Sequence, residues 1–381
     1  MPPRSVVVKI HLNPSYLRKI ILKIHLCLGL TAGVFLAILG LTGSIMAFEN
    51  EIDHWLRPEL WYVTPGRKPL PENDLVSVAQ NRFRPARVFA VQFPRAANLA
   101  QLIRMTDATI VYLNPYDGTV LGDTLGLSST DQFLIYVHQV HLWLIPDPTW
   151  VPALAQVGKI AVSVAALFTA LLVPTGLILW LRDKRLSIRS KAINFKISWF
   201  VYFQDAHHAI GIYASVFIWI ASVTGIVIGF NFGENLIYPI TRSSPPEPLK
   251  NFPSVVVPGA APIMADRALE VARHAMPNAR VDVMFMPTRR AGSFTVLMRV
   301  PGETSQSVHS SVTIDQYSGQ VLNVRDYRAA SFGYRLIRLN RSIHNGDIFG
   351  LASHIVVSLS SLLLVAMVIT GLVMWGKKLA E

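Results

Sequence analysis

The sequence predicts a membrane α-helical protein: a bundle of four transmembrane helices with two α+β domains on one side, built as an internal duplication. Three observations predict it. Hydrophobic residues make up 51% of the 381 positions and charged residues only 15%, against about 25% charged in soluble domains. Four stretches, 24–48, 160–181, 209–233 and 348–376, carry no Asp, Glu, Lys or Arg, and a spanning helix needs about 20 apolar residues. Finally, the chain is written twice, with a period of about half its length.

The elements follow in order. Residues 1–23 form a basic arm, and 24–49 form the first span. That run is too long for the apolar part of a signal peptide and has no small-residue cleavage site behind it. Residues 50–158 form a first outside domain followed by an amphipathic helix, and 159–181 the second span. A short loop, 182–206, leads to the third span at 207–233. A second outside domain fills 234–347, the fourth span is 348–376, and 377–381 form a tail. The net charge of +12 is not read as a nucleic-acid signal, because its placement matters more than its sum. Arg18, Lys19 and Lys23 precede span one. Arg182, Lys184, Arg185, Arg189, Lys191 and Lys196 fill the loop between spans two and three, and Lys377 and Lys378 follow span four. The positive-inside rule puts all of these in the cytoplasm. Both termini are then expected there, with the two long segments in the periplasm of a bacterial inner membrane. One cysteine, Cys27, allows no internal disulfide, no Cys-x-x-Cys-His haem attachment and no four-cysteine cluster.

The repeat is explicit. His25 is followed by Gly29 and Thr42-Gly43, and His207 by Gly211 and Thr224-Gly225, at identical spacings. Spans two and four end alike, Thr175-Gly176-Leu177…Trp180 and Thr370-Gly371-Leu372…Trp375. Outside, PARVFAVQFP (85–94) parallels NARVDVMFMP (278–287), each after an amphipathic helical stretch near 72–83 or 264–276. VYLNPYDGTVLG (111–122) parallels VTIDQYSGQVLN (312–323). Each of the latter reads as a strand, a turn with glycine at positive φ, and a returning strand. Helix, strand and hairpin make a small α+β domain once per half.

Most of the eleven histidines stand at span ends. His25, His207 and His208 are on the inner side; His138, His141, His344 and His354 are on the outer side. His11, His54, His274 and His309 read as ordinary surface or domain residues. A lone histidine can snorkel at a headgroup boundary, but ionisable residues at membrane depth read as functional. The repeat gives one pair per face. No carboxylate or cysteine accompanies them as zinc would need. Two imidazoles on opposite sides of a flat macrocycle suit a b-type haem in a bundle core, hence two haems. His25 and Gly43 lie eighteen residues apart, as do His207 and Gly225, and Gly158 and Gly176. Five turns put each pair on one face about 27 Å apart. Gly43, Gly225 and Gly176 are therefore expected to leave room for porphyrin, although Gly29-x-x-x-Gly33 and Gly225-x-x-x-Gly229 also match plain helix packing. His207 keeps the register of His25, whereas His208 would point about 100° away. On the outer face His141 and His344 are the first choice, and His138 or His354 could replace them. Pro146, Pro148 and Pro152 make the approach to span two irregular.

In these motifs, together with Tyr116-Asp117-Gly118, Tyr317-Ser318-Gly319 and His344-x-Gly346, nearly the whole chain resembles the PepSY-associated transmembrane helix proteins, the iron-regulated bacterial inner-membrane reductases. The resemblance implies PepSY-like outside domains, two haems, and reduction of a ferric siderophore, of hydroxamate type, in the periplasm. The electron donor would be cytoplasmic or a quinone. The extra His138 and His354 and the proline-rich 146–152 depart from the pattern and leave the ligands of the outer haem open. Rival expectations are a haem protein serving another acceptor (quinone or copper), a non-enzymatic regulator that restrains a partner, and a siderophore transporter, which the absence of charged residues inside the spans disfavours. Arg335, Arg338 and Arg341 share a helical face that reads first as a lipid-headgroup contact.

Overall fold

A computed structural model describes residues 14–125, 132–145, 147, 149, 151–181, 198–248, 252–303 and 308–380. The basic loop and the prolines Pro146 and Pro148 singled out above lie outside the described residues. The described chain divides into two units. One draws on Met1–Ala47, His138–Phe230 and Ile355–Glu381; the other comprises Phe48–Val137 and Asn231–His354.

The first unit is built on four helices long and apolar enough to cross a membrane: α1 (Pro14–Met46), α6 (Pro152–Leu181), α7 (Trp199–Gly229) and α11 (Leu351–Ala380). This is a membrane protein. α1, α6 and α7 start earlier than the charge-free runs, so His25 and His207 sit within their helices rather than at the first turn. α6 packs against both α1 and α7. α11 closes on α1, where a Cβ at Gly40 would come 2.6 Å from the Ser361 carbonyl oxygen. Small residues permit such backbone approach where lipid offers no hydrophobic drive. Of α5 (Phe133–Trp143), the part from His138 onward belongs to this unit.

The second unit holds α2 (Glu49–Leu56), α3 (Pro58–Trp61), α4 (Glu72–Arg82), strands β1 (Val88–Gln92), β2 (Gln101–Met105), β3 (Ile110–Leu113) and β4 (Val120–Asp123). Then come α8 (Asn231–Ile240), α9 (Ala265–Ala275), strands β5 (Arg280–Phe285), β6 (Ser293–Arg299), β7 (Ser310–Asp315) and β8 (Val321–Arg325), and α10 (Phe332–Asn345). Each half gives a helix and four antiparallel strands. The expected two outside domains are not separate sheets: all eight strands form one, in the order β4-β3-β2-β1-β5-β6-β7-β8. The physical reason is edge pairing, since each four-stranded half would expose a row of unpaired backbone groups on its first strand. At the seam Val91 pairs with Met284, Ala90 with Phe285 and Gln92 with Val283. Val91 and Met284 hold equivalent places in the repeat, so the two halves meet about a local two-fold. Strands β2 and β6, which carry no motif, were not anticipated. The turns were: Gly118 and Gly319 have φ of 75° and 72°, which glycine adopts freely.

One face of the sheet is covered by α4 and α9, whose Leu75, Ala79, Ala268, Leu269 and Ala272 are buried against Val91, Ile103, Val111, Met284, Phe294, Val296 and Val312. Neither helix carries its own N-terminal cap, since Pro71 and Met264 occupy those places. Each borrows from the other. Asp266 accepts from Glu72 N (2.8 Å) and Asn73 N (3.0 Å), and Asn73 Oδ1 accepts from Ala265 N (2.7 Å). Helix starts otherwise leave such N–H groups unsatisfied.

Burial at this junction pushes the Glu72 carboxyl up to about 7, helped by the nearby Asp266 charge and opposed by a hydrogen bond from Gln101 Nε2 at 2.6 Å. A carboxyl ordinarily titrates near 4.5. The folded protein therefore holds a proton there that the unfolded chain releases, and stability falls as pH rises from about 4.5 through 7. The full loss is about 3 kcal/mol. Thermal unfolding of the full chain in detergent should show Glu72→Gln gaining on the parent between pH 5 and pH 8. Parallel curves would refute the assignment.

Candidate functional site

The four-helix unit contains three imidazoles held in the same way. His25 Nδ1 on α1 lies 3.0 Å from Thr175 Oγ1 on α6, His207 Nδ1 on α7 lies 2.8 Å from Thr370 Oγ1 on α11, and His141 Nδ1 on α5 lies 2.8 Å from Thr42 Oγ1 on α1. Each threonine hydroxyl already donates to a carbonyl one turn back: Thr175 to Leu171 O (2.8 Å), Thr370 to Ala366 O (2.8 Å), Thr42 to Ile38 O (2.7 Å). A hydroxyl has one hydrogen. With it spent, the oxygen accepts, so Nδ1 carries a hydrogen, and in the neutral ring Nε2 then keeps its lone pair. The network thus assigns the tautomer.

The glycine after each threonine gives the ring its space. A Cβ at Gly176 would stand 3.1 Å from His25 Cε1, one at Gly371 3.4 Å from His207 Cε1, and one at Gly43 3.2 Å from His141 Cε1. Gly43 and Gly176, expected to leave room for porphyrin, each stand against an imidazole ring, and Gly176 also lines the cavity described next. Gly225 lies on α7 next to Thr224, whose hydroxyl likewise donates one turn back, to Ile220 O at 2.7 Å. Gly158 takes the carbonyl of Trp143 against its backbone.

His25 and His207 line one cavity of about 330 Å³. His208 reaches it as well, its ring 6.2 Å from that of His207, so the register that separates them on the helix does not remove His208 from the site. The walls are apolar: leucines of α1 and α6, Met367 and Met374, with Trp180, Trp375 and Lys378 at one end. Among the described residues no three His, Cys, Asp or Glu side chains converge. Among the described residues the lining offers the imidazole nitrogens of His25, His207 and His208 and the thioether sulfurs of Met367 and Met374.

The remaining histidines are placed differently. His138 lies one turn before His141 on α5. His344 and His354 belong to the other unit. His354 is buried, with Nδ1 3.1 Å from Glu51 Oε1 and its ring 6.0 Å from that of Phe48, a carboxylate partner rather than a threonine. Of the three arginines of α10, Arg338 lies over the Tyr334 ring at 5.8 Å. His309, read as ordinary, joins an ion cluster about Asp282. Sequence reasoning noted the threonines only as part of the repeat. Their fixed place beside glycine, three times over, was the available signal of their role.

Thr175→Val keeps the side-chain shape and removes the acceptor, at a cost of about 1 kcal/mol. Nitrogen-15 long-range correlation on histidine-labelled protein should show His25 protonated at Nδ1 in the parent and a mixture of tautomers in the variant. An unchanged tautomer would refute the role given to Thr175.

None of the curated proteins matches the chain. The PepSY-associated TM region matches residues 22–378, nearly its full length. From the third helical turn of α1 to the last turn of α11, then, the chain is a member of the PepSY-associated transmembrane family.

Proposed function

We propose that this protein carries electrons across the bacterial inner membrane and reduces a ferric siderophore outside it, using two b-type haems. The observation that carries the reading is the pair of imidazoles lining one apolar cavity, each with Nδ1–H donated to a threonine and Nε2 left as a lone pair. The fit to haem rests on that donor set and on the walls. The rings are fixed through Nδ1, the lining is largely apolar, and among the described residues no carboxylate completes a zinc site. His25 and His207 would hold the inner group. His141 would hold the outer one, with His344 as partner on the strength of the internal repeat and His138, His354 and His208 as alternates. When bound, haem supplies one-electron redox chemistry. The threonines orient the rings, the glycines let them approach the helix backbone, and the leucine and methionine walls keep water out. Lys378 supplies a positive charge at the cavity end. Ferrous iron is held far less well by hard oxygen chelators than ferric iron, so reduction releases the metal. The donor would be a cytoplasmic protein or a quinone, and the basic segments support a cytoplasmic position for both termini.

Reduced-minus-oxidised spectra with haem quantitation test this on detergent-purified protein. The parent should hold two haems per chain. His25→Ala and His207→Ala should lose one and the same haem; His141→Ala and His344→Ala should lose the other. Gly176→Val, crowding His25, should lower haem retention roughly tenfold or more, while Gly33→Val, whose Cβ meets only the Val368 side chain at 3.6 Å, should not. Rapid mixing of the reduced protein with ferric siderophore and a ferrous trap should give reoxidation with trapped Fe(II). Colourless parent protein from haem-replete cells would end the reading; reoxidation by quinone or copper alone would move the acceptor.

A further inference from the structure

The two copies of the Ala-Arg-Val strand entry use their arginine in opposite ways. In the second half Arg280 Nη2 lies 2.9 Å from Asp282, which also takes Arg299 Nη2 at 2.6 Å and His309 Nε2 at 3.1 Å. Burial pushes the Asp282 carboxyl up, but hydrogen bonds from His309 and Arg299 and the charges of Arg299 and Arg280 outweigh it and hold it well below the usual carboxylate range. The positive charge there is compensated. In the first half the place equivalent to Asp282 is Phe89, whose ring packs on Phe285 at 5.5 Å. Arg87, the counterpart of Arg280, has no carboxylate beside it among the described residues; its Nη1 donates to the Thr288 carbonyl at 3.3 Å.

Arg87, Arg289 and Arg290 line one cavity of about 490 Å³ in the sheet-bearing unit, and among the described residues no acidic one lines it. Among the described residues, none of the three forms an ion pair. The loop that carries Arg289 and Arg290 is fixed from beneath. Gln316, 3% exposed, places Nε2 at 3.0 Å from the Arg289 carbonyl, 2.7 Å from that of Arg290 and 2.7 Å from that of Gly292, its two hydrogens shared among the three. The Tyr317 hydroxyl donates to the Arg290 carbonyl at 2.9 Å. These carbonyls accept from beneath, and the guanidiniums line the cavity. Val256 and Val257, 45% and 46% exposed, give the cavity an apolar wall. A cavity of this size suits a small ligand, and guanidinium forks match carboxylates in geometry and charge.

We propose that this pocket binds an anionic, carboxylate-rich chelate of a trivalent metal, a ferric hydroxycarboxylate of the citrate type. The identity of the metal rests on the function proposed above. The choice of anion rests on the arginines, and it disfavours cationic hydroxamate chelates.

Gallium(III) citrate separates binding from reduction, because gallium(III) does not accept the electron. Calorimetric titration into the full chain in detergent should show binding by the parent. Arg87→Gln/Arg289→Gln/Arg290→Gln should weaken it roughly tenfold or more, with thermal unfolding unchanged. If the triple variant does not fold, the exposed pair Arg289→Gln/Arg290→Gln should show the same direction. A cationic gallium(III) trihydroxamate should bind roughly tenfold more weakly than the citrate complex. The proposal is overturned if the parent does not bind gallium citrate, if the folded variants bind it as tightly as the parent, or if the two chelates bind alike. Haem-free protein that still binds gallium citrate would sink the electron-carrier reading and leave the pocket standing. Haem protein that reduces ferric siderophore but ignores gallium citrate would do the reverse.

Discussion

A threonine hydroxyl whose own hydrogen is committed to the helix behind it can only accept, and the four-helix unit is arranged around that constraint. It turns each of three histidines from a ring with two interchangeable nitrogens into an oriented neutral base. The threonine is β-branched and stiff at χ1, so the acceptor sits in one place. The following glycine removes the one atom that would keep the ring away. Neither residue works alone: threonine without glycine would meet the ring with a Cβ at 3.1–3.4 Å, and glycine without threonine would leave the ring free to flip. The contact also ties helices that are far apart in sequence, α1 to α6, α7 to α11 and α5 to α1, so ring orientation and bundle geometry are set by the same atoms.

The second unit obeys a related rule, in which each half is incomplete. β1 and β5 would be exposed edges if apart, and together they form the seam. α4 begins after a proline and α9 after a methionine, neither of which can cap, and each takes its cap from the first turn of the other. Missing caps of this kind cost about 1 kcal/mol each. Their reciprocal repair also explains why a carboxyl such as Glu72 ends up buried: it stands where two helix starts converge over the sheet. The Asp266 that caps α4 adds a nearby negative charge and disfavours ionisation of Glu72 further.

How much of this could be read from residues alone depended on whether the signal was local. The spans were legible because charge-free runs of bilayer length have few alternatives. The hairpins were legible because Asp117-Gly118 and Ser318-Gly319 demand positive φ. Strands β2 and β6 carry no turn chemistry of their own, and they were missed. The merger of the two sheets was invisible, because it depends on pairing between segments almost two hundred residues apart. At the site, His25 and His207 stood out through their repeated spacing to glycine, but that spacing did not reveal that Gly43 stands against the His141 ring. Spacing along one helix shows which residues share a face; it does not show which helix will fill the space. His208 shows the same limit, since a cavity between several helices can be lined from more than one face of α7.

The chemistry of the ligands also bears on the class of process the bundle can serve. Each span offers a window of eighteen residues with at most two Asp, Glu, Lys or Arg. A charged side chain at mid-bilayer costs at least about 2.5 kcal/mol, and an ion or solute in transit needs polar groups along its whole path. A neutral imidazole held by a neutral hydroxyl avoids that cost while still presenting a strong donor atom. For the reading proposed here this matters more than any single contact. An electron needs only fixed stations at intervals, so polar residues can be confined to a few places within an otherwise apolar bundle. His25 with Thr175, His207 with Thr370 and His141 with Thr42 are confined in that way, and leucine and methionine side chains wall the cavity that His25 and His207 line.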